Sequence, residues 1–318
     1  MDKFLVDRIQ MTVDNYRLAK EELRNDGDII NHFASLVFSH YEKEIPVERI
    51  KEIRKNIKSA TTIMSPFRGN TLNILSLLIA TIDNEEEEEE LIEDMYETIE
   101  MLEEEGFLSG SYLALTAFTI SKYCRYKEKK DIIKNIKELY IILKEKYNNI
   151  TNEDDYLLCT LWVINNIQAD TVDDFIENIF EHISNSHIRS KNGVQGLANA
   201  IILNGSSGEM YRTMEFMLYL QKRNIKIANQ FLPLLGIIAN YNPRRNVDIV
   251  EGVIEYLCDE EGEYEYYIDK GFRTIIAIVI VAFCTMSDKK RYIDELLAQG
   301  VLSFINSKNK GIFEEVLY

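Results

Sequence analysis

Residues 65–81 read SPFRGNTLNILSLLIAT, a short polar turn followed by an almost wholly apolar helix. Pro66, Arg68, Gly69 and Asn70 lie in the turn, and the apolar run begins at Leu72. The same pattern of a break and an apolar helix recurs downstream. Such helices are predicted to start near Leu72, Tyr112, Tyr156, Val194, Phe231 and Phe272, at steps of 40, 44, 38, 37 and 41 residues. A period near forty residues belongs to helix-pair arrays of the HEAT and armadillo kind. Amphipathic helices are predicted between them, at 86–105, 129–147, 171–184, 208–223 and 246–259. A helix apolar all round needs cover on several sides, and stacking of successive helix pairs supplies it. The expected fold is therefore all-α, an irregular α-solenoid-like array. No side-chain motif recurs at fixed offsets, so a compact all-helical bundle would share the pattern.

Upstream of the array, residues 4–24 carry apolar positions at helical spacing. Gly27 breaks the chain, and Asp28 is expected to cap a helix reaching about Tyr41. A third helix follows Pro46, with Val47, Ile50, Ile53 and Ile57 on one face. Residues 1–60 are thus expected to form a three-helix cap, continuous with a repeat region over 61–318. Within that region, Leu91, Ile92, Met95, Ile99 and Leu102 share one helix face. Gly106 should stop that helix, Phe107 and Leu108 should fold back on its end, and Ser109 or Ser111 should cap the next. The segment 264–268 alternates too briefly for a strand.

Composition excludes several classes. The chain has 318 residues, 46% hydrophobic and 28% charged, with a net charge of −17. That charge repels nucleic-acid phosphates and anionic membranes at long range. Cys124, Cys159, Cys258 and Cys284 are far apart, form no CxxC pair, and read as buried free thiols in a reducing compartment. The opening MDKFLVDRIQ lacks the apolar core of a secretory signal. The most apolar run, 275–284, is about half the roughly 20 residues a membrane span needs. A cytoplasmic protein with no membrane segment is expected.

Chemistry leaves few marks. There is no phosphate loop, HExxH, dinucleotide fingerprint or GxSxG elbow, and neither cofactor nor metal is implied. The glutamates at 85–90 point around a helix start and read as solvated. The stretch DEEGEYEYYID at 259–269 has Tyr264 where a calcium loop needs glycine, and reads as an acidic, aromatic surface loop. His32 and His40 are eight residues apart, about 12 Å along a helix and too far for one metal. Arg68, Gly69 and Asn70 at a helix start would suit an anion. They would equally suit a structural turn in which Asn70 caps and Arg68 pairs with an acid. Lys270, Gly271, Phe272 and Arg273 form a partly analogous turn. A basic stretch spans 122–137, with Lys122, Arg125, Lys127, Lys129, Lys130, Lys134 and Lys137 against Glu128 and Asp131.

The stretches NHF at 31–33, PFRGN at 66–70 and EGFLSGSYLALTAFTI at 105–120 resemble a bacterial family known as a domain of unknown function, number four thousand and three. The resemblance covers most of the chain, its downstream half in general character only. It implies an all-helical cytoplasmic protein of about this length and carries no activity. The matches at NHF and PFRG single out Asn31, His32, Arg68 and Asn70. The leading expectation is a noncatalytic scaffold that binds a protein or peptide along one face. Two other readings stand beside it. One is an enzyme or small anionic-ligand binder using Asn31, His32, Arg68, Gly69, Asn70 and Arg273. The other is an RNA binder acting through the basic stretch.

Overall fold

The computed structural model describes residues 2–124, 129–184, 190–204, 207–238, 242–285 and 292–309, and every regular element among them is helical. In chain order the helices are α1 (Lys3–Glu22), α2 (Asp28–His40), α3 (Val47–Ala60), α4 (Asn70–Ile79), α5 (Glu85–Glu104), α6 (Ser111–Cys124), α7 (Lys129–Lys146) and α8 (Tyr156–Ile164). They continue as α9 (Ala169–Ser184), α10 (Lys191–Asn204), α11 (Ser207–Lys222), α12 (Leu232–Ile238), α13 (Pro243–Glu260), α14 (Gly262–Tyr266), α15 (Lys270–Thr285) and α16 (Ile293–Asn309). Among the described residues no helix is long and apolar enough to cross a membrane.

The chain divides into two compact units: Met1–Ile45 with Ile179–Tyr318, and Pro46–Asn178. The three N-terminal helices are shared between them. Helices α1 and α2 belong to the first unit, while α3 belongs to the second and packs on α4.

In the second unit each amphipathic helix packs on the apolar helix that follows it, α3 on α4, α5 on α6 and α7 on α8. Helix α6 also lies against α4 and α8, and α5 against α7. Burial follows the sequence pattern. Helix α3 buries only Ile50, Ile53 and Ile57, whereas α4 buries nearly every side chain from Thr71 to Ile79. Helix α5 buries the expected stripe of Leu91, Ile92, Met95, Ile99 and Leu102. It stops at Gly106 (φ 83°), where the Gly106 and Phe107 amides donate to the Glu103 and Leu102 carbonyls. This is the left-handed glycine end that the sequence predicts. Phe107 folds inward as expected, but Leu108 stays 63% exposed.

Ion pairs link successive amphipathic helices. Arg49, early in α3, meets Glu88, early in α5 (Nη2–Oε2 2.6 Å). Asp94 in α5 pairs with Lys129 at the start of α7, and Lys129 also donates to Thr98 (2.8 Å). Lys146 at the end of α7 reaches Glu177 in α9 (3.2 Å). Arg49 near the start of α3 meets Glu88, and Phe67 beyond the end of α3 meets Tyr96 farther along α5, so α3 and α5 run in the same sense. Lys137 of α7 donates to the Gly106 carbonyl beyond α5, so α5 and α7 are parallel too. The turns that leave α3, α5 and α7 therefore lie at one end of this unit.

Glu88 corrects the reading of the glutamate run, because it is buried at the α5 surface while its neighbours stay exposed. Glu88→Ala should cost about 1–3 kcal/mol, since it strands a half-buried guanidinium. Glu86→Ala should stay within about 0.5 kcal/mol. Urea unfolding of both variants checks the difference.

In the first unit α1 and α2 pack together and meet helices from the far end of the chain, α1 touching α13 and α15, and α2 touching α15 and α16. Arg17 holds Glu261 (3.1 Å) and Lys20 holds Glu263 (2.7 Å) across this junction. Helix α2 begins at Asp28 itself, with Gly27 (φ 87°) in the capping position and no side-chain cap. At its other end the buried Arg8 donates to the Ser39 carbonyl and to Glu42. A guanidinium there satisfies the orphan carbonyls of a helix C-terminus and complements its dipole.

Phe231, Phe272 and Phe304 stack in the core, with centroids 5.4–5.9 Å apart. Gly300 of α16 lies against the Phe231 ring, where a Cβ would come within 2.4 Å of Cδ1. Cys124 and Cys159 are buried and Cys258 and Cys284 half-buried, all as free thiols.

Candidate functional site

The Arg68 turn is built around carbonyl groups. Helix α3 ends at Ala60 and leaves its last carbonyls without helical partners. Arg68 takes them up, Nε donating to Thr62 O (3.0 Å) and Nη2 to Lys58 O (2.6 Å) and Thr61 O. Its partners are thus backbone carbonyls and not an acid. Gly69 occupies the capping position before α4 at φ 62°, ψ −137°, a region that strains any other residue. Asn70 opens α4, and no side chain caps that helix.

Phe67 anchors the turn from beneath, edge-on to Tyr96 (5.4 Å, 76°). Burial pushes the Tyr96 phenol above its ordinary value, and the Arg68 charge pulls it partly back. The braced turn leaves Ile63 87% and Met64 91% exposed. On the α3 side stand exposed Lys51, Lys55 and Lys58 with Glu52. Leu108 stands in the next turn at the same end of this unit.

Asn31, His32 and Arg273 belong to the other unit. Asn31 and His32 are each only 1% exposed. The His32 ring stacks flat on Tyr16 (3.8 Å, 4°), with Tyr264 and Phe272 at 5.1 and 6.1 Å. Neither ring nitrogen has a hydrogen-bond partner among the described residues, and the same holds for Asn31 Oδ1 and the Tyr264 hydroxyl. Burial pushes His32 down to about 3, with the Lys20 charge adding to the effect. Tyr16 is pushed up to about 12, mainly by burial. His32 is therefore a neutral ring in an aromatic stack.

Arg273 resembles Arg68 in its bonds. Its Nη1 donates to Tyr264 O (2.8 Å) and to Cys258 Sγ (3.3 Å). Asp269 Oδ1 caps α15 by accepting from the Gly271 and Phe272 amides (2.9 and 3.0 Å).

Two features escape sequence reasoning. His40 Nδ1 lies 3.0 Å from Asp294 Oδ1, and Tyr41 donates to Oδ2 of the same carboxylate (3.0 Å). The imidazole stacks on Phe283 (4.3 Å, 5°). This cluster joins residues 254 apart in sequence, so no local signal announces it. The second is the acidic stretch at 259–269. It is helical at α14, with Tyr264 buried and Tyr266 and Tyr267 exposed at 72% and 79%.

Of the basic stretch, Lys129 is paired with Asp94, and Lys137 donates to Gly106 O while covering the Phe107 ring (4.6 Å). Lys122 lies over Phe118 and Tyr123, and Arg125, Lys127 and Glu128 fall outside the described residues, as does His187. Among the described residues no three His, Cys, Asp or Glu side chains gather as a metal site.

One family model matches residues 15–310, that of the family described as "Protein of unknown function (DUF4003)". No curated protein and no solved structure matches the chain.

Proposed function

The chain belongs to the DUF4003 family, whose description assigns no chemistry, and we propose that it is a noncatalytic helical-repeat scaffold of the cytosol that binds a protein or peptide partner. One observation carries the reading. The Arg68-braced turn presents Ile63 and Met64 at 87% and 91% exposure, next to the lysines of α3. Large apolar side chains held out by a rigid turn are costly to leave in water and suit a partner's pocket. The pairing of α3 with α4, α5 with α6 and α7 with α8 in the second unit supports the repeat reading. Free thiols fit a reducing compartment.

The other readings have less support. An anion at Arg68 would compete with the Lys58, Thr61 and Thr62 carbonyls for the same donors. RNA would have to draw Lys129 and Lys137 from their present partners.

The test compares capture from native cytosol by full-length wild type, Ile63→Ser/Met64→Ser and Leu218→Ser. Leu218 is an exposed side chain of the first unit. A partner held by wild type and Leu218→Ser should fall at least about tenfold with the double variant, whose melting should be unchanged because both side chains are exposed. An identical capture profile for all three proteins would remove the proposal.

A further inference from the structure

Among the described residues, only two places carry adjacent large apolar side chains that are both more than 70% exposed. They are Ile63–Met64 and Tyr266–Tyr267. Their surroundings carry opposite charge. Exposed Lys55 and Lys58, with Glu52, stand on the α3 side of the first, while Lys51 is held by Glu48 (2.9 Å); exposed Asp259, Glu260 and Glu265, with Lys270, flank the second. An aliphatic and a thioether side chain pack well on phenol rings, the sulfur at the ring edge. We propose that the Ile63–Met64 turn of one molecule docks on the Tyr266–Tyr267 segment of a second copy of this chain. This rests on the docking-turn reading above and names the partner for it.

Two different patches meet, so copies associate head to tail, closing into a ring or adding on as a chain. Assembly should grow with concentration. The apolar patches are small and their charged rims exposed, so association should be weak and should fall as salt rises.

Sedimentation of the full-length protein at low salt, over increasing concentration, tests this. The mass of wild type should rise with concentration and fall back in high salt. Ile63→Ser/Met64→Ser and Tyr266→Ser/Tyr267→Ser should each stay monomeric, with self-affinity weakened at least about tenfold. A mixture of the two variants should form one-to-one heterodimers and nothing larger, because each retains the patch the other lacks. Wild type that stays monomeric throughout, association that ignores either variant, or a mixture that stays monomeric would each overturn the proposal. Wild type that stays monomeric but binds phosphatidylserine vesicles through Ile63 and Met64 would overturn it in favour of a membrane. The scaffold reading fails separately: a foreign partner lost with Ile63→Ser/Met64→Ser would sustain it even where the molecule does not self-associate.

Discussion

At pH 4.5, His32→Phe should be more stable than the wild-type protein by about 2.7 kcal/mol relative to their difference at pH 7. The unfolded chain takes up a proton at His32 near pH 6.5, whereas the buried ring holds off protonation to about pH 3. Stability attached to this group is therefore whole above pH 6.5 and is lost as pH falls toward 3. Each pH unit in that window costs about 1.4 kcal/mol. Phenylalanine retains the flat stack on Tyr16 and removes the proton site. At pH 7 the change should be small, within about 1 kcal/mol, because no hydrogen bond to the ring nitrogens is lost. Urea unfolding of both proteins at both pH values decides it. Equal pH dependence in the two proteins would sink the assignment of His32 as a buried neutral ring. A loss beyond about 2 kcal/mol at pH 7 would show instead that the nitrogens are satisfied, by water or by a ligand.

Phe231→Ala should cost about 3–5 kcal/mol, the largest single loss expected here. Phe231 is fully buried and stacks with Phe272 and Phe304, so its removal opens a hole at the centre of the first unit. Gly300 makes the experiment more informative. In the wild-type background Gly300→Ala drives a Cβ to 2.4 and 2.6 Å from Phe231 Cδ1 and Cε1, and overpacking should cost about 1–3 kcal/mol. With Phe231→Ala the ring is gone, the Cβ enters empty space, and the same change should stabilise by about 0.5–1 kcal/mol through helix propensity. The sign should reverse between backgrounds. Additive effects across that double-mutant cycle would show that ring and glycine do not meet.

The features legible in the sequence are those that depend on near neighbours. The apolar run from Leu72, the stripe from Leu91 to Leu102 and the stop at Gly106 all follow from spacing within a turn or two. Glu88 was legible in principle, since it lies three, four and seven residues before Leu91, Ile92 and Met95 and so on their face. Nothing local separates Phe67, which is buried, from Ile63 and Met64, which are not. The Arg68 turn shows its basic charge in the sequence but not its acceptors, because carbonyls carry no letter. His32 is least legible of all. Its neighbours Tyr264 and Phe272 come from helices more than 230 residues onward, and only the folded chain brings them together.

The first unit is drawn from two separated stretches of chain, and this sets a timetable for synthesis. Helices α1 and α2 leave the ribosome long before the helices that cover them, with Tyr16, His32 and Phe33 exposed. Their cover from α15 comes only after residue 270 has been made. At about 5–20 residues per second, the wait is roughly 10–50 s. The second unit, contiguous in the chain, is finished well inside that interval. The nascent chain thus carries a sticky α1–α2 hairpin until α15 is made. A holdase chaperone bound to that hairpin should leave as α15 emerges, and a stop codon before α15 should harm the first helices as much as the last.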